Sequence, residues 1–571
     1  MSTEPLHLRL NRENRARNIA VPLLLGLLAL ALYTPGISWG VPQGISGRTQ
    51  PWGPDEIAPM GPLHWAHGLL TGGEGGSTKY PLFHYLLLAG AYVPYLLFQL
   101  VTGNLANPNA VYPYGFTNAP AALQSLVLIA RAVSLLMGAG TVVVAYFTGK
   151  ALWDRATGIL TGALVLLMYP MFYYAKMSNV DVPALFWTSL VLLLSAHVLH
   201  DGWTIRRAMG MGLFAALAIA TKDQSFAILV LLPLGLLPFH LRAVERKGWA
   251  TFWTYSKAPL IGFLVSAAFY AVASGLAVRP AAFSRHLDFI LYAVVKGLPS
   301  FWYFRYSADL VGYLGLAWEC LQQVADSLGW PFFLAACVGI LHCVIRDRSK
   351  LVLLLTFPVL FLGVIFPVRH TAIRFMLPVA FVLACFAARA LAAGLQSPRA
   401  SLRAAAVVTI LVGSGFALAR AADLTYLMWN DPRYTASAWL EAYARPGDRV
   451  EFFESVTGQF AGRANKMPYL PDGVRFHDAA QTLPPGARPL AGEFVLTVGP
   501  EDQELYWFCP AGTHHRLLNG SLGYDLVAII QRPSLFSHPH FDHHINQRVE
   551  IFVRRDRAEQ LGLATPEVLR P

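Results

Sequence analysis

Apolar residues run for about 17–20 positions at a time along most of the chain, and short basic and polar clusters separate the runs. A helix of that length crosses the hydrocarbon core of a bilayer. The pattern therefore predicts a polytopic α-helical membrane protein. The first run covers roughly Ile19 to Trp39. Later runs cover about Leu123–Thr148, Ala156–Tyr174, a fourth ending at His200 and a short fifth reaching Thr221. A sixth returns to Arg242, a seventh covers about Ala258–Ala277, and an eighth ends at Arg346. The last three exit at Val368, return to Arg399 and end near Asp423.

The basic clusters orient these runs, because Lys and Arg concentrate on the cytoplasmic side of a membrane. Residues 1–18 are polar and basic and place the N-terminus inside. The run Pro81–Val101 is treated as an interfacial helix, since it holds Pro94 and several Tyr and leads into the polar stretch Thr102–Thr117. With that choice Lys150, Arg206, Arg207, Arg242, Arg346, Lys350, Arg399 and Arg403 all fall inside. The expectation is about 11 transmembrane helices, an outer loop over about 40–122, and the C-terminus outside. The first run has signal-peptide flanks but no clear small-residue cleavage site, so it is read as an anchor.

From about Leu424 the composition shifts toward charged residues, Pro and Gly. Asp448–Phe453, Glu493–Val498, Asp525–Ile530 and Val549–Val553 read as strands, and Ala436–Ala444 as a helix. Residues 424–571 are thus expected to form an extracytoplasmic α/β domain, and residues 1–423 the membrane domain. No internal repeat or low-complexity tract is visible.

Composition supports the membrane reading: 55% of residues are hydrophobic and only 13% charged, against about a quarter charged in soluble domains. The net charge of +11 does not point to nucleic acid, because the cations sit between apolar runs. Five cysteines are scattered without metal-ligand spacing or a disulfide framework.

The unusual polar residues converge on the outer face. Trp52-Gly-Pro-Asp-Glu56 puts two adjacent carboxylates in the first outer loop, which ends at Lys79-Tyr80-Pro81. Asp181, Lys222, Asp223, Arg369, His370 and Arg374 follow at outer span ends. Charges beside the apolar slab are costly, so they pair or work. A carboxylate can take a proton from a hydroxyl, and Lys and Arg can hold a phosphate as its charge develops. Each residue also has a plain structural reading. Asp55, Glu56 and Asp181 suit helix N-caps, Arg369 and Arg374 suit snorkelling anchors, and Lys222 suits an ion pair with its neighbour Asp223. The segment from His538 to His544 holds four His and one Asp. It suits a metal site, with a solvated loop as the plain alternative.

These segments together resemble the GT-C superfamily of membrane glycosyltransferases, and specifically glycosyltransferase family 39. That family includes protein O-mannosyltransferases and the lipid A aminoarabinose transferases. Pro54-Asp55-Glu56 is similar to its acidic motif, and Lys79-Tyr80-Pro81-Leu82 to its Lys/Tyr-Pro-Pro-Leu segment. Ala130–Ser134 with Gly149–Trp153, Asn179-Val-Asp181-Val-Pro183, Ala220-Thr221-Lys222 and Arg374-Phe-Met-Leu-Pro378 follow in the family's order over about residues 19–390. The resemblance implies a GT-C fold. It also implies that Asp55 is the general base, that Asp181 positions substrate, and that Glu56 supports the site. Lys79, Lys222, Arg369 and Arg374 would bind the donor's lipid phosphate. Thr78 stands where the aminoarabinose subgroup has a Glu that contributes to a metal site, so a divalent metal is left open and no cofactor is assigned. Leu82 and Phe375 replace a family Pro and Tyr. No segment between the seventh and eighth runs is long enough for a β-trefoil insert, which points to the bacterial-type members.

The expected function is an inverting transfer of a sugar from a polyprenyl-phosphate donor to a hydroxyl acceptor on protein, lipid or glycan. The expected place is the outer face of a bacterial plasma membrane, with membrane lipid as the surrounding partner and no nucleic acid. A transporter or flippase of lipid-linked sugars is the alternative, using the same cations without a base. Against it stand the missing repeat and the placement of charges at span ends.

Overall fold

The computed structural model describes residues 6–42, 50–53, 55–73, 79–248, 252–292, 305–452, 467–478, 490–498, 511–541, 544–563 and 567–569. Within these, the protein is a polytopic helical membrane protein whose C-terminal chain forms a sheet. The chain divides into two compact units: residues 1–35, 60–91 and 130–421 form one, and residues 36–59, 92–129 and 422–571 the other.

Eight helices among the described residues are long and apolar enough to cross a membrane, or nine if a bent pair counts as one span. Most of the predicted runs reappear as helices, for example Ala119–Leu152, Asp181–Asp201 and Ala400–Trp429. Leu82–Val101 also has the length and apolarity of a span. The expected first and third runs are shorter apolar helices, Ile19–Tyr33 and Arg155–Leu166. The third stops where Tyr169-Pro170 breaks the helix before the single turn Met171–Tyr174.

The helical unit departs from the sequence expectation in two places. The stretch between the expected seventh and eighth runs, where no element was expected, contains two helices, Pro280–Tyr292 and Leu310–Leu328. The second of these meets Trp330–Arg346 at a bend of 104°. Gly329 makes the bend with φ +82°, a conformation that costs a residue with a Cβ. The expected ninth run is not a regular α-helix. It begins as a 3₁₀ stretch, Arg348–Thr356, continues as a π stretch, Leu360–Ile365, and closes with Phe366–Val368. Pro358 and Pro367 each remove a backbone donor there, which prevents one continuous α-helical ladder.

Small residues allow a close helix contact in this unit. The helices Ile205–Thr221 and Phe252–Ala273 meet at Gly212 and Gly262. A Cβ on Gly212 would lie 2.1 Å from the Gly262 carbonyl oxygen, so the approach requires glycine. Lys176 is fully buried between the turn Met171–Tyr174 and the helix Asp181–Asp201, and its ammonium donates to the Pro35 carbonyl.

The other unit is built on a six-stranded mixed sheet. Its strands are β1 (Arg449–Phe452), β2 (Arg475–Asp478), β3 (Phe494–Val498), β4 (Tyr524–Ile530), β5 (Val549–Arg554) and β6 (Glu567–Leu569), in the order β2-β1-β3-β5-β4-β6. Pairing is parallel for β1 with β2 and β3 and for β4 with β6, and antiparallel where β5 joins β3 and β4. The central β3 is buried along its whole length, as a continuous apolar run predicts. The helix Pro432–Tyr443 covers one face with Ala436, Trp439 and Leu440. The four predicted strands match β1, β3, β4 and β5. β2 and β6 lie outside the predicted strands.

This unit also takes in residues 36–59. Arg433 and Asp431 are fully buried and doubly bonded, Nε to Oδ1 at 2.8 Å and Nη2 to Oδ2 at 2.7 Å. The guanidinium carbon lies 4.1 Å from the Trp52 ring centre and 5.3 Å from that of Trp39. Trp39 donates its indole N–H to Asp431 at 3.1 Å, and Trp52 stacks on Tyr469 at 4.9 Å. The charge of a fully buried Arg is thereby matched by a carboxylate and two π faces.

Candidate functional site

Six of the seven sequence-predicted residues can be located by their contacts, and Asp55 by its backbone. Asp55 and Glu56 belong to the sheet-bearing unit, whereas Lys79, Asp181, Lys222, Arg369 and Arg374 belong to the helical unit.

Asp55 has φ +61°, a left-handed conformation that Asp and Asn tolerate better than most residues. Glu56 is buried and accepts a hydrogen bond from the Gly53 N–H at 3.1 Å. The following helix begins at Met60, so neither carboxylate is its N-cap. The N-cap alternative for this pair is therefore corrected. Among the described residues of the same unit, Tyr92 is fully buried.

In the helical unit, the helix Asp181–Asp201 starts with Asp181 itself, and Val180 is its N-cap residue. The carboxylate is spent elsewhere: the Lys222 ammonium donates to Asp181 Oδ1. Lys222 occupies the C-cap of the helix Ile205–Thr221 in extended geometry, which turns its side chain off the helix axis. The expected neighbour pair of Lys222 with Asp223 is overturned. Asp223 instead faces His286, whose Nε2 lies 3.1 Å from Asp223 Oδ1. Lys222 also sits 4.8 Å above the Phe375 ring, and the Arg374 guanidinium 5.5 Å from the same ring.

These groups border one shallow cleft. Asp181, Thr188, Lys222, Gln224, Arg374 and Phe375 are among its lining residues. Asp181, Ala184, Leu185 and Thr188 line it at the i, i+3, i+4, i+7 spacing of one helix face. The cleft thus joins a carboxylate, two cations and neutral polar groups beside apolar walls. Such a set can bind an anionic, partly hydroxylated ligand.

Arg369 and Lys79 are placed near this helical framework but do not line that cleft. Arg369 ends the turn Phe366–Val368 in a left-handed conformation, φ +47°, and donates from Nη1 to the Tyr306 carbonyl at 3.0 Å. Tyr306 in turn donates its hydroxyl to Glu319 Oε2 at 2.6 Å, and the Gln323 amide donates to Glu319 Oε1 at 3.0 Å. Gln323 then accepts from the buried Thr371 hydroxyl at 2.9 Å. This chain of bonds fixes the segment 369–372 that leads into Arg374. His370, in the same segment, is held down to about 4 by burial first and by Arg305 and Arg374 second, so it is neutral at physiological pH. Lys79 lies 5.3 Å from the ring of Tyr80. Tyr80, Pro81 and Leu82 line a second shallow cleft with Trp65, Arg279 and His286.

Sequence reasoning missed Thr188, Gln224, His286 and the Glu319–Gln323–Thr371 chain. Thr188 lay inside an apolar run, where a single threonine carries no signal, and Gln323 lay in the stretch read as loop. His286 lay in the stretch read as loop, where no periodicity was sought. The His538–His544 segment is only partly described, since Asp542 and His543 lie outside the described residues. His538 itself is buried and its Nε2 lies 3.0 Å from Asp423 Oδ2. Among the described residues no group of three His, Cys, Asp or Glu is placed to hold a metal ion.

The fold class is that of a polytopic helical membrane protein with a C-terminal α/β sheet, as expected. No protein-family model matches the chain, and no curated protein matches it in sequence. Solved structures do. The archaeal oligosaccharyltransferase AglB from Archaeoglobus fulgidus, in complex with an inhibitory peptide and a dolichol-phosphate, is 13% identical over 80% of this chain, with a TM-score of 0.44. The chain spans 62% of that protein's length. ArnT from Cupriavidus metallidurans, bound to undecaprenyl phosphate, is 13% identical over 93% of this chain and 97% of its own, with a TM-score of 0.45. The arabinofuranosyltransferase AftD from Mycobacteria is 13% identical over 93% of this chain and 41% of its own, with a TM-score of 0.40.

Proposed function

We propose that the protein is an inverting glycosyltransferase that moves a sugar from a polyprenyl-phosphate carrier to a hydroxyl acceptor. The reading includes an acceptor on protein, lipid or glycan and a site on the outer side of a bacterial plasma membrane. Residues 1–423 carry the chemistry, and residues 424–571 form an extracytoplasmic domain. The observation that carries the reading is the cleft in which Lys222 is held by Asp181 beside Arg374.

A phosphodiester donor brings one negative charge, and a second negative charge develops on its phosphate as the sugar departs. Preorganised cations stabilise that charge more in the transition state than in the ground state. An ammonium alone is a mobile point charge. Its bond to Asp181 fixes where it points, which is the condition for such stabilisation. Arg374 adds a planar fork suited to phosphate oxygens. Lys79 and Arg369 complete the cationic set in this reading.

The step balances simply. The acceptor oxygen attacks the anomeric carbon from the face opposite the phosphate, and a C–O bond forms. The bond from the anomeric carbon to the phosphate oxygen breaks, and its electron pair stays on the phosphate. The acceptor's proton passes to the Asp55 carboxylate. Glu56 supports Asp55, and Asp181 orients substrate through Lys222. The roles of Asp55 and Glu56 rest on their sequence context alone.

The test is transfer from radiolabelled polyprenyl-phosphate sugars in membranes. Wild type should move label to a hydroxyl acceptor, and Asp55→Asn should be about 10²–10⁴-fold slower. Asn keeps the left-handed tolerance of position 55, so folding is preserved. Wild-type turnover in Asp55→Asn would remove Asp55 as the base, and absence of transfer from every donor would overturn the reading.

A further inference from the structure

We propose that the strap 532–538 of the sheet-bearing unit is a membrane-contact loop, which seats Leu535 in the lipid surface at the C-terminal end of the helix Ala400–Trp429. The inference is independent of the glycosyltransferase reading. It gives a lipid partner to a stretch of chain that lies far beyond the last apolar run.

One carboxylate folds the strap. Asp423 Oδ2 accepts from the Ser534 hydroxyl at 2.9 Å, the Leu535 N–H at 3.1 Å and the Phe536 N–H at 3.0 Å. His538 Nε2 lies 3.0 Å from the same oxygen. Arg532 pins the other end: its Nε donates to the Asn430 carbonyl at 3.0 Å and its Nη2 to the Thr435 hydroxyl at 3.1 Å. Asp423 lies in the helix Ala400–Trp429 and Asn430 just past its end, seven positions on. The strap therefore descends the helix by two turns, about 10 Å. Its backbone at Leu535 is clamped, yet Leu535 is 86% exposed. The exposure is not an isolated one. Tyr426 and Trp429 are also exposed, and Asp423, Tyr426 and Trp429 follow at steps of three, as neighbours on the helix surface.

The helix sets the depth at which this happens. Arg399 and Arg403 stand exposed at its N-terminal end and mark one membrane surface. About 20 helical residues cross the hydrocarbon core, and that count from Arg403 ends at Asp423. Leu411, Val412 and Phe416 lie between them and are exposed, as lipid-facing side chains are. Tyr426 and Trp429 then fall in the headgroup layer, where amphipathic rings concentrate. Side chains on a helix lean toward its N-terminus, here toward the bilayer. The Asp423 carboxylate thus holds Leu535 at the hydrocarbon boundary. Its set of donors agrees with that depth, since a bare carboxylate there would be costly. Residues 534–537 are Ser, Leu, Phe and Ser and carry no charge. The surface that fits them is the apolar boundary of a bilayer rather than an anionic headgroup.

Photocrosslinking of the full chain tests the contact. Leu535, Leu411 and Glu559 are replaced in turn by p-benzoylphenylalanine, and each variant is placed in nanodiscs of phosphatidylcholine with tritiated acyl chains. All three positions are exposed, so folding is not at stake. Irradiation should label position 535 as fully as position 411 in the span and leave position 559, on the helix Arg555–Leu561, at background. Adding phosphatidylglycerol should leave the yield at 535 unchanged, because the strap's tip is uncharged. Asp423→Ala releases the strap and should bring the label at 535 down to background while the label at 411 stays. Background label at 535 beside full label at 411 would overturn the proposal. So would cross-linking of 535 to a second copy of the chain, seen as a band of doubled mass, in place of lipid. A yield at 535 that rises with phosphatidylglycerol would overturn the apolar character of the contact, and full label at 535 in Asp423→Ala would overturn the role of the clamp.

Discussion

Lys222 is bonded to Asp181, 41 positions earlier in the chain, and not to Asp223 beside it. The pair is largely removed from water, with side-chain exposures of 14% for Lys222 and 3% for Asp181. Its two members play unequal parts. Asp181 is a buried anion that needs the cation, and Lys222 is a cation whose direction the anion fixes.

Removing the cation alone strands the carboxylate. Lys222→Met should lower stability by about 3–5 kcal/mol, the usual cost of breaking a buried pair from one side. The double variant Lys222→Met/Asp181→Leu should recover most of that loss, because neither charge is left alone. Transfer should be abolished in both variants. Thermal unfolding in detergent measures the first effect and the membrane assay the second. A single variant as stable as wild type would show that the pair is not buried in the folded protein.

Lys176 gives a second test through its protonation. Burial, with Arg131 as the lesser cause, pushes its amine down to about 7 from the ordinary 10.5. Between those values the unfolded chain holds a proton that the folded chain has released. Stability should therefore rise with pH from about 7 to 10.5, by at most about 1.4 kcal/mol per unit. Below 7 both states are protonated and this contribution to the slope vanishes. Lys176→Met should flatten the rise. Unfolding measured between pH 6.5 and 9.5 checks it, and an unchanged slope in the variant would place the pH dependence elsewhere.

The membrane spans were legible because a helix in lipid must be apolar over its whole length, and that signal is hard to hide. Asp181, Lys222 and Arg374, which line the cleft, stood out for the opposite reason: a charge beside an apolar run is conspicuous. Their pairing was not legible. Asp223 is adjacent to Lys222 in sequence, but the extended backbone at Lys222 directs its side chain toward the start of another helix. The helices Pro280–Tyr292 and Leu310–Leu328 were hidden because both alternate apolar and polar faces, which breaks up the continuous runs that marked the other spans. Thr188 was invisible for a subtler reason. A threonine in an apolar helix is unremarkable until the missing bond to its own helix is seen.

The contact of Arg433 with Trp39 and Trp52 predicts where the sheet-bearing unit is most sensitive. Arg433→Lys keeps the charge but loses the second bond to Asp431 and the flat stacking surface. It also loses the Nη2 donor to the His544 carbonyl at 2.7 Å. The variant should cost about 2–3 kcal/mol, from charge-assisted bonds left unmade. Trp52→Ala should cost about 3–5 kcal/mol by leaving a cavity beside Tyr469 and exposing one face of the guanidinium. Fluorescence of the remaining tryptophans during denaturation measures both. Losses below about 0.5 kcal/mol, typical of surface substitutions, would contradict the burial of this cluster.

The last prediction concerns acid. Glu550 lies on β5 and binds three partners: His514 Nε2 at 2.5 Å, the Thr497 hydroxyl at 2.8 Å and Arg548 Nη2 at 2.9 Å. Burial alone would raise its carboxyl, but the bonds to His514 and Thr497 and the charges of His514 and Arg548 outweigh it and hold it below the ordinary 4.5. The sign follows from proton counts. Below 4.5 the unfolded chain takes up a proton that folded Glu550 still refuses, so stability falls as the pH drops through that window. At neutral pH both states are ionised and the contribution is fully present. Glu550→Gln should therefore be less stable than wild type at pH 7, and the gap should narrow as the pH falls below 4.5. Denaturant unfolding of the full chain in detergent at pH 7, 5, 4 and 3 reads both ends of that comparison. A gap of constant size across the series would mean that the carboxylate's charge does not hold β5 to its neighbours.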